Sequence, residues 1–219
     1  MRKPLITLSL MLALAPLTLL AQGTAAPVID GELKTALEAP PDVARGKTAY
    51  EVCEACHRKD GSGRANGIYP RLAGQHARVV LKQLVDIRSG RRHNPDMAPL
   101  VAEPVLGLQA MADIAAYVQG LPVAANNGKG SGNDLALGKQ YYDRDCAVCH
   151  GAAGQGDAAA FQPMVAAQHY RYLLRELVNI GDGSRKNSHA DMVKVLKPYS
   201  QAQLEAVADH MSRLPPPGR

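Results

Sequence analysis

The sequence predicts an all-α protein made by tandem duplication, and three observations carry that expectation. No stretch alternates apolar and polar residues as a half-buried strand would, whereas apolar residues recur at three- and four-residue steps in several windows. Sliding the 219-residue chain against itself by 93 positions superposes two pentapeptides, CEACH at 53–57 and CAVCH at 146–150, which together hold all four cysteines. The register continues beyond them: Pro70 falls on Pro163, AGQH (73–76) on AAQH (166–169), and LKQLVDI (81–87) on LRELVNI (174–180).

The chain opens with Arg2 and Lys3, runs apolar from Leu5 to Leu20 and reaches small residues at Ala21, Gly23, Ala25 and Ala26. Residues 1–26 therefore read as a cleaved secretory signal, because a mostly apolar stretch of sixteen residues with Pro16 inside falls short of the ~20 that span a bilayer. The first repeat covers residues 42–122. A helix leads into Cys53, a second covers Gln75 to Ser89, and a third aligns Leu108, Met111, Ile114, Tyr117 and Leu121 before stopping near Pro122. Residues 123–133, VAANNGKGSGN, replace apolar periodicity with Gly, Ser and Asn and read as a flexible linker. The second repeat, 134–219, follows the same order: a helix into Cys146, one from Gln168 to Ile180, and a last one bearing Leu204, Val207, Met211 and Leu214 that ends near Pro215.

A net charge of +5 falls to near +3 once Arg2 and Lys3 leave with the signal, spread over two nearly neutral halves, and gives nucleic-acid binding no support. The one local concentration of positive charge, Arg88, Arg91, Arg92 and His93, reads as a solvated loop, with steering of an acidic partner as the alternative. With no Trp, one Phe and eight Tyr, the two repeats have few large aromatics with which to fill a core.

Three chemistries use C-x-x-C. A structural zinc site needs four ligands, and each repeat offers one pair plus a histidine. A thioredoxin-type dithiol belongs on a βαβ scaffold, for which no strand is predicted. C-x-x-C-H is the pattern of covalent haem attachment: two thiols three residues apart add to the two porphyrin vinyl groups, and the histidine that follows becomes an axial ligand. On this reading Cys53, Cys56, Cys146 and Cys149 anchor two haem c groups, His57 and His150 ligate their irons, and no thiol is left for redox exchange or nucleophilic catalysis. The cofactor also supplies the apolar bulk that the aromatics lack, so the haem-free protein is expected to be largely unfolded.

The two C-x-x-C-H copies, the segments YPRLAGQH and QPMVAAQH after them, LKQLVDIRSG, and the closing amphipathic helices resemble the dihaem cytochrome c4 family, over roughly residues 42–122 and 134–216. The resemblance implies two class I cytochrome c domains in tandem, each wrapped around its covalently bound haem. It implies a periplasmic electron carrier, soluble or loosely membrane-associated, with His/Met-ligated irons and redox protein partners such as a quinol-oxidising complex, a terminal oxidase or a dehydrogenase. It assigns the main-chain carbonyls of Pro70 and Pro163 as acceptors for the second ring N–H of the axial histidines. Gly46 with Tyr50, and Gly138 with Tyr142, match the family's positions where the first helix crosses the last. Tyr50, however, stands three residues before Cys53, whereas Tyr142 stands four before Cys146.

For the second axial position, Met111 and Met211 lie on helical apolar stripes and read as core. Met97, in a proline-bracketed loop 40 residues after His57, is the expected ligand of the first iron, with His93 as rival. In the second repeat Met164 lies beside the proline on the histidine side, which leaves Met192, 42 residues after His150, with His189 as rival. His76, His169 and His210 read as structural or surface residues. Two capped irons and no spare nucleophile point to an electron carrier, not an enzyme. The alternatives are the haem subunit of a larger dehydrogenase, or a dihaem enzyme, which would need an open iron.

Overall fold

The computed structural model describes Ile29 and residues 31–216, so the signal peptide assigned to residues 1–26 lies outside the described residues. Among the described residues every regular element is a helix, and one isolated bridge joins Asp157 to Gln162. The first domain comprises α1 (Gly31–Glu38), α2 (Val43–Ala49), α3 (Glu51–His57), α4 (Ala77–Arg88), α5 (Ala98–Val101) and α6 (Leu108–Gly120). The second comprises α7 (Leu135–Tyr141), a π-helical segment (Tyr142–Cys146), α8 (Ala147–His150), α9 (Tyr170–Gly181), α10 (Ala190–Leu196) and α11 (Gln201–Arg213).

In each domain the short helix leading towards the pentapeptide, α2 or α7, crosses the last helix at a glycine. A Cβ on Gly46 would lie 2.1 Å from the Asp113 carbonyl oxygen of α6, and one on Gly138 2.1 Å from the Ala206 carbonyl oxygen of α11, so any larger residue would drive the backbones apart. Of the predicted stripes, Met111 and Ile114 of α6 and Leu204, Val207 and Met211 of α11 are buried, Leu108, Tyr117, Leu121 and Leu214 are half-buried, and Ala115, Val118 and Ala208 extend the buried faces. Helix α11 begins earlier than its apolar face because Ser200 and Gln203 form a reciprocal capping box that satisfies the first free N–H groups. Helix α1 was not expected. Its eight residues bury only Leu33 and Ala36, too weak a periodic signal to read, yet they complete the first core against α4 and α6.

Tyr50 and Tyr142 are fully buried, 5.5 Å from the Tyr117 ring and 5.4 Å from the His210 ring respectively. Their hydroxyls donate to the carbonyls of Arg58 (3.0 Å) and Gly151 (2.6 Å), the residues that follow the two pentapeptides. The unequal spacing between tyrosine and first cysteine is taken up locally. In the first domain the helix restarts at Tyr50, with Cys53 N–H donating to the Tyr50 carbonyl at 2.8 Å. In the second, the extra residue is absorbed by the five-residue π-helical segment, so both motifs emerge on equivalent tyrosine anchors.

The domains are docked on one another through pairs that repeat the 93-residue offset. His76 Nε2 lies 2.7 Å from the Gln155 carbonyl oxygen, and its counterpart His169 Nε2 lies 2.7 Å from that of Ser62. Engagement of Gln75, His76, Gln168 and His169 in this contact is why α4 and α9 start about two residues later than predicted. Phe161, the only phenylalanine, breaks the symmetry: it is 8% exposed within the first domain's core, with the Arg78 guanidinium 4.6 Å from its ring centre. Its counterpart, Ile68, is 55% exposed.

Two expectations are corrected. Residues 123–133 are not a flexible tether, because their polar groups are tied to both domains. Arg71 donates to the Ala124 carbonyl and the Asn126 side chain, Asn127 to the carbonyls of Gln168 and Ser212, Gly128 N–H to His169 Nδ1, and the N–H groups of Gly130 and Gly132 to the Asp209 carboxylate. The arginine cluster is likewise not a free basic patch: Arg91 and His93 do stand exposed, as a solvated loop would have them, but Arg88 and Arg92 are largely covered. Arg88 is ion-paired with Glu32 and Glu103, Arg91 with Asp86, and Arg92 with Glu176 across the interface. Charge at these positions is neutralised within the fold and leaves little field for steering a partner.

Candidate haem-attachment sites

Each pentapeptide forms the last helical turns before a left-handed residue, Arg58 (φ 65°) or Gly151 (φ 77°), which turns the chain back beneath the motif. The returning loop brings Pro70 and Pro163 to the histidines. His57 Nδ1 lies 2.9 Å from the Pro70 carbonyl oxygen, and His150 Nδ1 lies 2.9 Å from that of Pro163. Both rings are buried, and burial lowers their pKa values against the smaller opposing effect of the carbonyl bond. A neutral imidazole that donates Nδ1–H to a carbonyl keeps its Nε2 lone pair free, the form that binds a metal.

The four thiols are unbridged. Burial, followed by the neighbouring Cys56 and Glu54, pushes Cys53 up to about 11; burial, Asp145 and Cys149 push Cys146 up to about 12. Cys53 and Cys146 therefore stay protonated at neutral pH. Cys53 and Met97 both pack against the first core, and Cys146 and Met192 against the second, so each motif and its candidate methionine border the same apolar interior. Met111 and Met211 are fully buried within helical stripes and Met164 is buried beside Pro163. His93 is exposed; so is His189, whose ring accepts from Asp191 N–H as the N-cap of α10.

The donor set discriminates between a bare ion and haem. Among the described residues no group of three or more His, Cys, Asp or Glu side chains could hold a metal ion. A paired thiol and one free imidazole nitrogen on each side suffice only if the remaining equatorial ligands come with the cofactor, as they do in haem. The residues therefore fit the group. Reading the sequence missed the roles of Gln75, His76, Gln168 and His169, although the repeated Gln-His pair was a usable signal: two polar residues kept at the same offset need a common partner.

The family model described as cytochrome c matches twice, over residues 43–122 and 135–215. The thiosulfate dehydrogenase electron acceptor of Stutzerimonas stutzeri is 35% identical, over 76% of this chain and 80% of the relative. Cytochrome c4 of Pseudomonas aeruginosa is 31% identical, over 79% of this chain and 89% of its own. The crystal structure of reduced recombinant cytochrome c4 from Pseudomonas stutzeri superposes with a TM-score of 0.72 at 29% identity, covering 80% of this chain and all of that one. Two attachment motifs with matching histidine geometry, a helical tandem fold and these relatives lead to one conclusion: the chain belongs to the cytochrome c family, as a dihaem electron-transfer protein of the cytochrome c4 type carrying two covalently bound haem c groups.

Proposed function

We propose that the protein is an exported, periplasmic one-electron carrier and not an enzyme, with each haem attached through Cys53 and Cys56 or Cys146 and Cys149. His57 and Met97 would ligate the first iron, His150 and Met192 the second. When bound, each haem supplies an iron that cycles between Fe(III) and Fe(II). The chain's own residues do the rest: Pro70 and Pro163 fix the tautomer and orientation of the histidines, and the half-buried Met97 and Met192 would supply the second protein ligand to each iron. The observation that carries this reading is the duplicated histidine-carbonyl geometry, joined in each domain to a methionine bordering the same core. Occupation of the His189 ring at its helix N-terminus supports Met192 over the rival.

The relatives' names support a dehydrogenase as donor and a terminal oxidase as acceptor; a quinol-oxidising complex as donor rests on the family resemblance alone. A potentiometric titration with optical detection tests the carrier reading. Two one-electron steps with the near-infrared band of methionine ligation are expected, and the reduced protein should not bind carbon monoxide. Ready stoichiometric binding of carbon monoxide would overturn it. The standing second reading, a subunit of a larger dehydrogenase, is favoured by the electron-acceptor relative; co-purification of a catalytic partner from the native host separates it from a free carrier.

A further inference from the structure

We propose that Gln168 and Gln75 are positioning residues acting across the domain boundary, each strengthening electron donation by the other domain's axial histidine. The inference rests on the reading of His57 and His150 as ligands. Its basis is a single peptide group in each domain. The Pro70 carbonyl that accepts from His57 Nδ1 shares its amide with Arg71 N–H, and that N–H donates to Gln168 Oε1 of the second domain at 2.9 Å. Gln168 Nε2 donates in turn to the Arg71 carbonyl at 3.0 Å, which fixes the side-chain amide face to face with the main chain.

The arrangement recurs with the domains exchanged. The Pro163 carbonyl accepts from His150 Nδ1, the same amide's N–H at Met164 donates to Gln75 Oε1 of the first domain at 2.9 Å, and Gln75 Nε2 donates to the Met164 carbonyl at 3.0 Å. Each glutamine is itself held by its neighbour's backbone: Gln168 Oε1 also accepts from His169 N–H at 3.0 Å and Gln75 Oε1 from His76 N–H at 3.1 Å. Gln168 is buried and Gln75 half-buried, so water competes little for these bonds.

Hydrogen bonds in series polarise one another, by roughly 10–30% per bond. Donation from Arg71 N–H to an oxygen shifts electron density onto the Pro70 carbonyl oxygen, which then accepts more strongly from His57 Nδ1–H. The imidazole becomes more imidazolate-like, a better donor to iron, and favours Fe(III). Each domain thereby lowers the potential of the other's iron, and docking is a condition for the working potential, not merely a scaffold.

The test is an NMR-detected redox titration of the intact dihaem protein, following each couple through the ring-current-shifted signals of its own axial histidine. In Gln168→Met, which keeps volume but removes the acceptor, the first domain's Fe(II)/Fe(III) ratio at fixed potential is expected to rise about threefold. That is ~28 mV upward at 59 mV per tenfold for one electron. The His57 Nδ1–H signal should move upfield while His150 is unchanged. Gln75→Met should do the mirror image, and at its half-buried position it carries the test alone if the first variant undocks. Gln168→Glu keeps an acceptor while losing the Nε2 donor, and should hold the first potential at or below the parent value. A purely structural role would instead move each glutamine's own haem, both haems together, or neither, and any of these outcomes overturns the proposal. If the parent protein lacks ring-current-shifted His57 and His150 signals, the ligand reading itself has failed.

Discussion

The two domains repeat their histidine sides at a fixed offset and diverge on their methionine sides. On the histidine side the ring-to-carbonyl distance is 2.9 Å in both, each motif follows a tyrosine donating to the residue after it, and each crossing glycine would collide at 2.1 Å if substituted. On the other side Met97 stands before a four-residue helix as its N-cap, whereas Met192 lies inside the seven-residue α10. The histidine half is the constrained one. Attachment chemistry, a tautomer-fixing carbonyl and a glycine crossing admit one geometry, while on the proposed ligation the distal segment has only to deliver one sulfur. Even an inserted residue on the constrained side was absorbed in a π-helical turn, leaving the tyrosine anchor in place.

Removal of a proposed methionine ligand should separate the two domains most sharply. Met192→Ala is expected to abolish about half of the near-infrared band and to let one iron in two bind carbon monoxide after reduction, with Met97→Ala doing the same for the other. His189→Ala should leave the band intact and only loosen the start of α10, a cost of about 1 kcal/mol for a lost N-cap. Optical titration of the three variants decides the matter: a band that survives Met192→Ala but changes with His189→Ala would make the second site bis-histidine.

The next effect concerns the interface, where symmetry fails at Phe161 and Ile68. Phe161→Ala removes a ring buried in the first domain's core and should destabilise that domain by about 3 kcal/mol. Ile68→Ala, at an exposed position, should change stability by less than ~0.5 kcal/mol. Urea unfolding monitored at the first domain's haem measures both, and equal midpoints for the two variants would show that the Phe161 contact contributes nothing.

Much of this was legible in the sequence because the signals were periodic or doubled. The duplication, the stripes of α6 and α11 and the C-x-x-C-H motifs each involve several residues that agree with one another. What escaped depended on single contacts between distant segments. VAANNGKGSGN has the composition of a tether, and only the fold shows that Arg71, Asn127, His169 and Asp209 satisfy its polar groups. Arg88, Arg91 and Arg92 looked like one positive patch because their acidic partners lie at Glu32, Asp86, Glu103 and Glu176, up to 84 positions away. Composition reports the charge of a segment; pairing depends on topology.

The smallest expected effect contrasts the buried acids of the two closing helices. Asp113 on α6 binds Arg45 and the Asp42 N–H within its own domain, whereas Asp209 on α11 accepts from Gly130, Gly132 and Arg213 and so holds the linker. For both, burial alone would raise the pKa, but the hydrogen bonds outweigh it and the net direction is down. A carboxyl depressed in the folded state contributes stability above its unfolded value of about 3.9, and that contribution is lost as the pH falls through the lower folded value. Asp113→Asn and Asp209→Asn should therefore each cost about 1–2 kcal/mol at neutral pH and flatten the acid side of the stability curve below about pH 4. They should differ in where the structure loosens: amide exchange at Gly130 and Gly132 should quicken in Asp209→Asn and stay unchanged in Asp113→Asn. If those glycines remain protected when Asp209 is replaced, the linker is held by Asn127 and the His169 contact, and the carboxylate serves its own helix alone.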